Sequence, residues 1–165
     1  MPIIDSLLME LEQEQQSTRK LFERTPEDKL GWKPHPKSYS LGQLAMHIAQ
    51  LPAQLAMMAA QDVFQFTPFQ QPEARSRAEL LRTSEEALAA ARKTLSQMDD
   101  KRLMAAWTAQ QNGQTLITMP RIALLRTFLL NHFYHHRGQL SVYLRLLDVP
   151  LPSIYGPSAD ENPFV

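Results

Sequence analysis

Asn131 to Leu140 reads NHFYHHRGQL and lies in the last long apolar segment of a 165-residue chain. The spacing around it predicts a helix from about Pro120 to Leu147. Leu125, Leu129, Phe133, Leu140, Tyr143 and Leu147 fall on one side, and Arg126, Arg137, Ser141 and Arg145 on the other. At roughly 100° per residue, His132 falls within about 40° of the centre of the apolar stripe and His136 almost on it, while His135 lands near its edge. Two imidazoles one turn apart project side by side and can hold one ion together. A polar ring buried with no partner costs on the order of a few kcal/mol, so the pair on a core-facing stripe points to a metal. The competing reading leaves both rings to waters or backbone carbonyls.

Outward from this segment, three more helices are expected. The first runs from about Asp5 to Arg24, with Leu7, Leu8, Leu11, Leu21 and Phe22 as its apolar positions and a polar middle from Glu12 to Gln16; Thr25 and Pro26 end it. The connector DKLGWKPHPKSYS follows, stiffened by Pro34 and Pro36 and carrying Trp32, His35 and Tyr39. Ser40 and Gln43 form a capping-box pair that opens the second helix, where Leu41, Leu44, Ile48, Leu51 and Leu55 make the stripe and His47 sits on its flank. Gln43, Gln50 and Gln54 read as ordinary exposed positions of that helix. Gln61 to Ala74 form an aromatic, proline-punctuated crossing. Ser76 and Glu79 mark a second capping box for a helix that reaches about Met98.

Between Asp99 and Met119 the pattern changes. Trp107 and Thr108, the Asn112-Gly113 pair and Thr115 to Ile117 predict a short hairpin, after which Thr118 is expected to cap the fourth helix. The tail beyond Leu147 is too rich in proline for helix and is expected to pack across the helices through Ile154, Tyr155 and Phe164. The expected fold is all-α: one domain over residues 1–165, a four-helix bundle with a hairpin or irregular insert between its third and fourth helices.

Bundles build metal sites from side chains of facing helices. His47 with His132 and His136 would make a neutral-imidazole site with an open position for water or substrate, the arrangement of catalytic metal centres. Zinc suits such a site, and nickel, cobalt, iron and manganese also accept nitrogen ligands. His47 alone carries a weak signal, and a half-exposed structural histidine is the competing reading. Phe133 follows His132 where a zinc protease helix carries its glutamate base, so protease-like chemistry is disfavoured. Asp160 and Glu161 are candidates to reach the site from the tail, to orient an imidazole or act as a base.

Composition excludes several classes. Lys plus Arg and Asp plus Glu are 17 each, so no net field draws the chain to nucleic acid or an anionic membrane. No cysteine is present, which excludes disulfides, thiolate ligands and a cysteine nucleophile; any thiol chemistry takes its sulfur from the substrate side. Asp5, Glu10, Glu12 and Glu14 interrupt the N-terminal segment before any long apolar run. Neither a signal peptide nor a membrane anchor is expected there, and the expected location is the cytoplasm.

The segments SLGQLAMHIAQLP, NHFYHHRGQLSVYLRLL and VPLPSIYGPSADE, with WKPHPKSYSLGQLA and WTAQQNGQTLITMPR, closely resemble the DinB-like superfamily of bacterial proteins, also described as damage-inducible or YfiT-like metal-dependent hydrolases. The resemblance spans nearly the whole chain and implies an up-down-down-up four-helix bundle, often a homodimer. It also implies a divalent metal, zinc or nickel first among the candidates, held by three histidines that match His47, His132 and His136. Superfamily members with known activity include thiol-dependent S-transferases and an isomerase that use low-molecular-weight bacterial thiols. The implied function is therefore a metal-dependent S-transferase or hydrolase acting on a small molecule. The alternative is a non-catalytic, stress-response metal-binding dimer that works through protein interactions.

Overall fold

The computed structural model describes residues 1–164 and is mostly helical, with a small three-stranded sheet. Helix α1 (Ile3–Glu23) buries Ile4, Leu7, Leu8, Leu11, Leu21 and Phe22 along one stripe, as its spacing predicts. Its first turn is capped from a distance, the Ile3 N–H donating to the Asp100 carboxylate at 2.9 Å. Helix α2 (Leu41–Ala60) opens on the expected capping box: Ser40 Oγ accepts from the Gln43 N–H at 3.1 Å while Gln43 Oε1 accepts from the Ser40 N–H at 3.0 Å. It runs on through Pro52, which lies buried inside it.

Helix α3 (Arg77–Leu95) packs along both α1 and α2. Ser76 caps it, but the second capping box is half made, because the Glu79 carboxylate accepts from the Arg75 N–H and not from that of Ser76. A short helix α4 (Asp100–Met104) leads into the hairpin β2 (Ala106–Gln111) and β3 (Gln114–Pro120). The hairpin turns through Asn112 and Gly113 at φ 51° and 77°, the left-handed pair that a tight hairpin turn requires.

The all-α expectation needs correction at this insert. The strand β1 (Val63–Gln65), inside the aromatic crossing, pairs in parallel with β2, and the hairpin becomes the larger part of a sheet ordered β1-β2-β3. Thr118 is not a helix cap but a strand residue paired with Thr108, the two hydroxyls 3.1 Å apart. The helix instead begins after Pro120.

The last helical stretch has three parts: α5 (Arg121–Leu124), a π-helical segment (Leu125–Asn131) and α6 (His132–Leu146). A π-helical turn holds more residues than the 3.6 of an α-helix, so a wheel drawn at 100° per residue loses phase across it. Within α6 the buried positions are Phe133, Arg137, Leu140 and Leu144. Arg137, expected in solvent, is therefore in the core. His132, His136 and Tyr143 are half-buried on the flank of the stripe instead of at its middle.

One buried cluster draws Leu11, Leu44, Leu80 and Leu140 from the four long helical stretches together. Arg137 donates to the carboxylate and backbone carbonyl of Glu14 and to the Tyr155 hydroxyl, which itself donates to Glu14 at 2.7 Å. The tail is thus tied down by the tip of Tyr155 and by half-buried Ile154, while Phe164 lies exposed. No helix among the described residues is long and apolar enough to cross a membrane.

Candidate metal centre

His47 comes from the middle of α2, and His132 and His136 from the first two turns of α6. One nitrogen from each of the three lies within 4.8 Å of the others. The His132 and His136 Nε2 atoms face each other at 2.6 Å, and the His47 ring stands edge-on to both, its centroid 5.2 Å from that of His132 and 4.6 Å from that of His136. Among the described residues no carboxylate joins the cluster. His135 is exposed beside it, its ring centroid 5.0 Å from His136, and His35 is exposed in the connector.

Two of the rings are held through their other nitrogen. His47 Nδ1 lies 3.1 Å from Gln71 Oε1, and the Gln71 amide nitrogen points to Gln50 Oε1 and the Pro72 carbonyl, which leaves its oxygen to accept from the imidazole. His136 Nδ1 meets Gln139 Oε1 at 2.7 Å. The carbonyl of Phe128, one turn back, lies near His132 and offsets part of the pKa lowering that burial causes. With Nδ1 of His47 and His136 donating to these glutamine oxygens, their Nε2 atoms keep the lone pair.

Burial lowers the pKa of all three imidazoles, that of His136 to about 4, and the neighbouring rings push His47 and His136 further the same way. They are neutral at pH 7, the form a metal takes. The donor set fits a divalent cation: two Nε2 lone pairs turned on each other at 2.6 Å repel unless positive charge lies between them. Ions with metal–nitrogen distances of about 2.0–2.1 Å reach nitrogens up to about 4 Å apart.

Two residues that hold the rings were missed in the sequence. Gln71 lies in the crossing with no periodic pattern, yet it is 6% exposed and reaches His47. It is brought there by close packing of the crossing on the start of α2, where Ser40 Oγ donates to the Glu73 carboxylate at 2.6 Å. A Cβ on Gly42 would stand 2.8 Å from Glu73 Cγ, so glycine is what admits the crossing. Gln139, three residues past His136, was legible as a helical neighbour and passed over.

The glutamines of α2 are not ordinary exposed residues. Gln43, Gln50 and Gln54 are half-buried, engaged respectively with the cap, with Gln71 and with the cavity wall. Asp160 and Glu161 do not reach the site. They pair with Arg145 and Arg24 and accept from the backbone N–H groups of Leu151 and Ser153, which uses them to fold the tail. Tyr143 packs edge-to-face on Trp32 at 5.7 Å and donates to the Tyr39 carbonyl, docking the connector beside the centre.

A cavity of about 620 Å³ opens against His47 and His132. Its walls come from α2, the crossing with β1, the hairpin, and the π-helical segment, which contributes Phe128. π-helical turns occur frequently at functional sites, and this one sets the register of His132 and places the Phe128 carbonyl beside it.

Fold and site together define a mostly helical protein with a three-histidine cluster that can bind a metal beside an apolar cavity. The sequence model of the DinB family matches residues 2–162, and the chain belongs to that family. A DinB-like protein from Bacillus cereus superposes with a TM-score of 0.72 at 24% identity, over 92% of this chain and 97% of that one. The DinB-like protein YjoA from Bacillus subtilis gives a TM-score of 0.68 at 21% identity, over 94% and 98%. The uncharacterized protein YrdA of Bacillus subtilis is 46% identical over 43 residues, 26% of this chain; the match spans 25% of that relative's length.

Proposed function

We propose that this protein is a divalent-metal-dependent enzyme acting on a small molecule, with His47, His132 and His136 as the metal ligands and zinc or nickel as the ion. The reaction is the transfer of a low-molecular-weight thiol to an electrophile or, where no thiol is required, hydrolysis. The observation that carries this reading is three neutral imidazoles turned toward one another beside a cavity, two of them anchored through Nδ1. Bound there, the ion supplies the positive charge that lowers the pKa of a thiol or water. Gln71 and Gln139 keep the Nδ1 protons of His47 and His136 in place and so keep those rings oriented. No cysteine exists to act as nucleophile, so the sulfur comes with the substrate.

The bundle is taken as up-down-down-up, the location as the cytoplasm and the assembly as a homodimer. Metal content measured in wild type beside His47→Ala, His132→Ala and His136→Ala tests the ligands; the expected result is one ion per chain, lost in each variant. Turnover of a model electrophile with bacillithiol, mycothiol, glutathione or coenzyme A then tests the reaction. No rate above that of His136→Ala with any thiol, or without one, would overturn it.

One observation favours the second reading, a metal-binding dimer without catalysis. Val142 and Leu146, one turn apart on α6, are 56% and 59% exposed and offer an apolar face for a partner. On that reading the metal stabilises the fold, and no small molecule alters the visible spectrum of bound cobalt.

A further inference from the structure

We propose that the cavity beside the three histidines receives the uncharged, apolar or aromatic body of the molecule acted on and discriminates against an ionised one. The proposal rests on the reading of His47, His132 and His136 as the reacting centre, and it names the chemical class of the group seated beside them.

The cavity's volume of about 620 Å³ falls within the range of small-molecule sites. Its inner wall is aromatic: Phe64 meets Phe66 edge-on at 5.0 Å and stacks on Trp107 at 6.5 Å. Leu51, Leu55 and Met58 of α2 and Leu124 and Phe128 of the last helical stretch close the floor. Gln54 and Thr67 supply the neutral polar groups, and among the described residues that line the cavity none is charged. A carboxylate or ammonium placed there gives up its hydration and gains no partner of opposite sign. A neutral ring or alkyl chain gives up little and is gripped on several sides.

The rim is apolar as well. Phe69 and Leu116 are 64% and 54% exposed, a wet hydrophobic edge of the kind that marks a binding groove. His47 and His132 form the part of the wall where cavity and centre meet, so a body seated in the cavity presents its end to the trio. The groups that touch the trio without lining the cavity are polar or half-polar. Gln71 and Gln139 bond to His47 and His136, exposed His135 lies against His136, and Tyr39 stands 6.1 Å from His47.

The test compares two fluorescent probes of one shape, N-phenyl-1-naphthylamine, which is neutral, and its 8-sulfonate, which is an anion. Both are titrated into the full chain, with and without chelator so that sulfonate binding to a metal is seen separately. The expected result is saturable binding of the neutral probe and at least tenfold weaker binding of the sulfonate. Leu116→Glu and Phe69→Glu, at exposed rim positions, are each expected to weaken the neutral probe by tenfold or more with metal content and Tm unchanged.

Equal affinity for the two probes, or neutral-probe binding indifferent to both rim variants, overturns the proposal. Binding of the neutral probe that falls as protein concentration rises also overturns it, because a second copy then covers the rim. A chain that takes up no metal yet keeps the probe preference sinks the proposed enzyme and leaves the cavity assignment standing. A chain that takes up metal without the preference does the reverse.

Discussion

At the scale of single residues, Gln71 and Arg137 show how much a side chain's role depends on what packs against it. Gln71 is held by its own amide hydrogens, so its carbonyl is committed to His47. Gln71→Met keeps the volume and removes the acceptor. The expected outcome is a metal affinity lower by about 10–100-fold, read by competition with a chromophoric chelator, at nearly unchanged stability. Arg137 and Glu14 form a buried ion pair between α6 and α1, 4% and 9% exposed at their side chains. Glu14→Leu strands the guanidinium in the core and is expected to cost about 3–5 kcal/mol in urea unfolding. Glu14→Leu with Arg137→Met is expected to recover most of that loss, since two apolar groups leave no charge unpaired. An arginine in a heptad-like stripe reads as a solvent residue until its carboxylate partner, far off in sequence, is known.

At the scale of elements, Arg121 and the tail carry the tests. The Arg121 guanidinium is fully buried and donates to the carbonyls of Ala59, Gln61, Ala105 and Ala106 and to the Asp62 carboxylate. It thereby joins the end of α2, the approach to β1, the start of β2 and the start of the last helical stretch. Arg121→Leu is expected to destabilise the chain by about 2–4 kcal/mol in urea unfolding, as several carbonyls lose a charged donor at once. In the tail, hydrogen bonds from Arg145 and Arg24, with backbone N–H groups, hold the Asp160 and Glu161 carboxyls below the usual carboxylate range. Their contribution is complete above that range and is lost as pH falls through the lowered values, when protonation breaks the pairs. Proteolytic cleavage of the tail is therefore expected to be slow at pH 5 and to quicken as pH falls through the lowered values of these two carboxyls. Glu161→Gln is expected to loosen the tail at neutral pH.

At the scale of the whole molecule, the centre joins α2 to α6, so an ion bound there holds together elements far apart in the chain. Metal at a hundredfold excess over its Kd is expected to add about 2.7 kcal/mol to stability. That corresponds to a rise in Tm of roughly 5–10 °C for a domain of this size. Calorimetry with and without zinc checks it, and His132→Ala is expected to show no rise.

His47 carried only a weak signal, whereas the helices around Leu11, Leu44, Leu80 and Leu140, the capping box at Ser40, the hairpin at Asn112-Gly113 and the His132–His136 pair were legible in the chain. Each follows from local spacing, where 3.6-residue periodicity, a cap or a left-handed turn leaves its own mark. Tertiary structure alone decided that β1 pairs with β2, that Arg137 turns inward, that Gln71 reaches His47, and that Asp160 and Glu161 fold the tail instead of serving the site. Those contacts join residues tens of positions apart or depend on the phase lost across Leu125–Asn131. No window of local sequence carries the desolvation and partner geometry that set them.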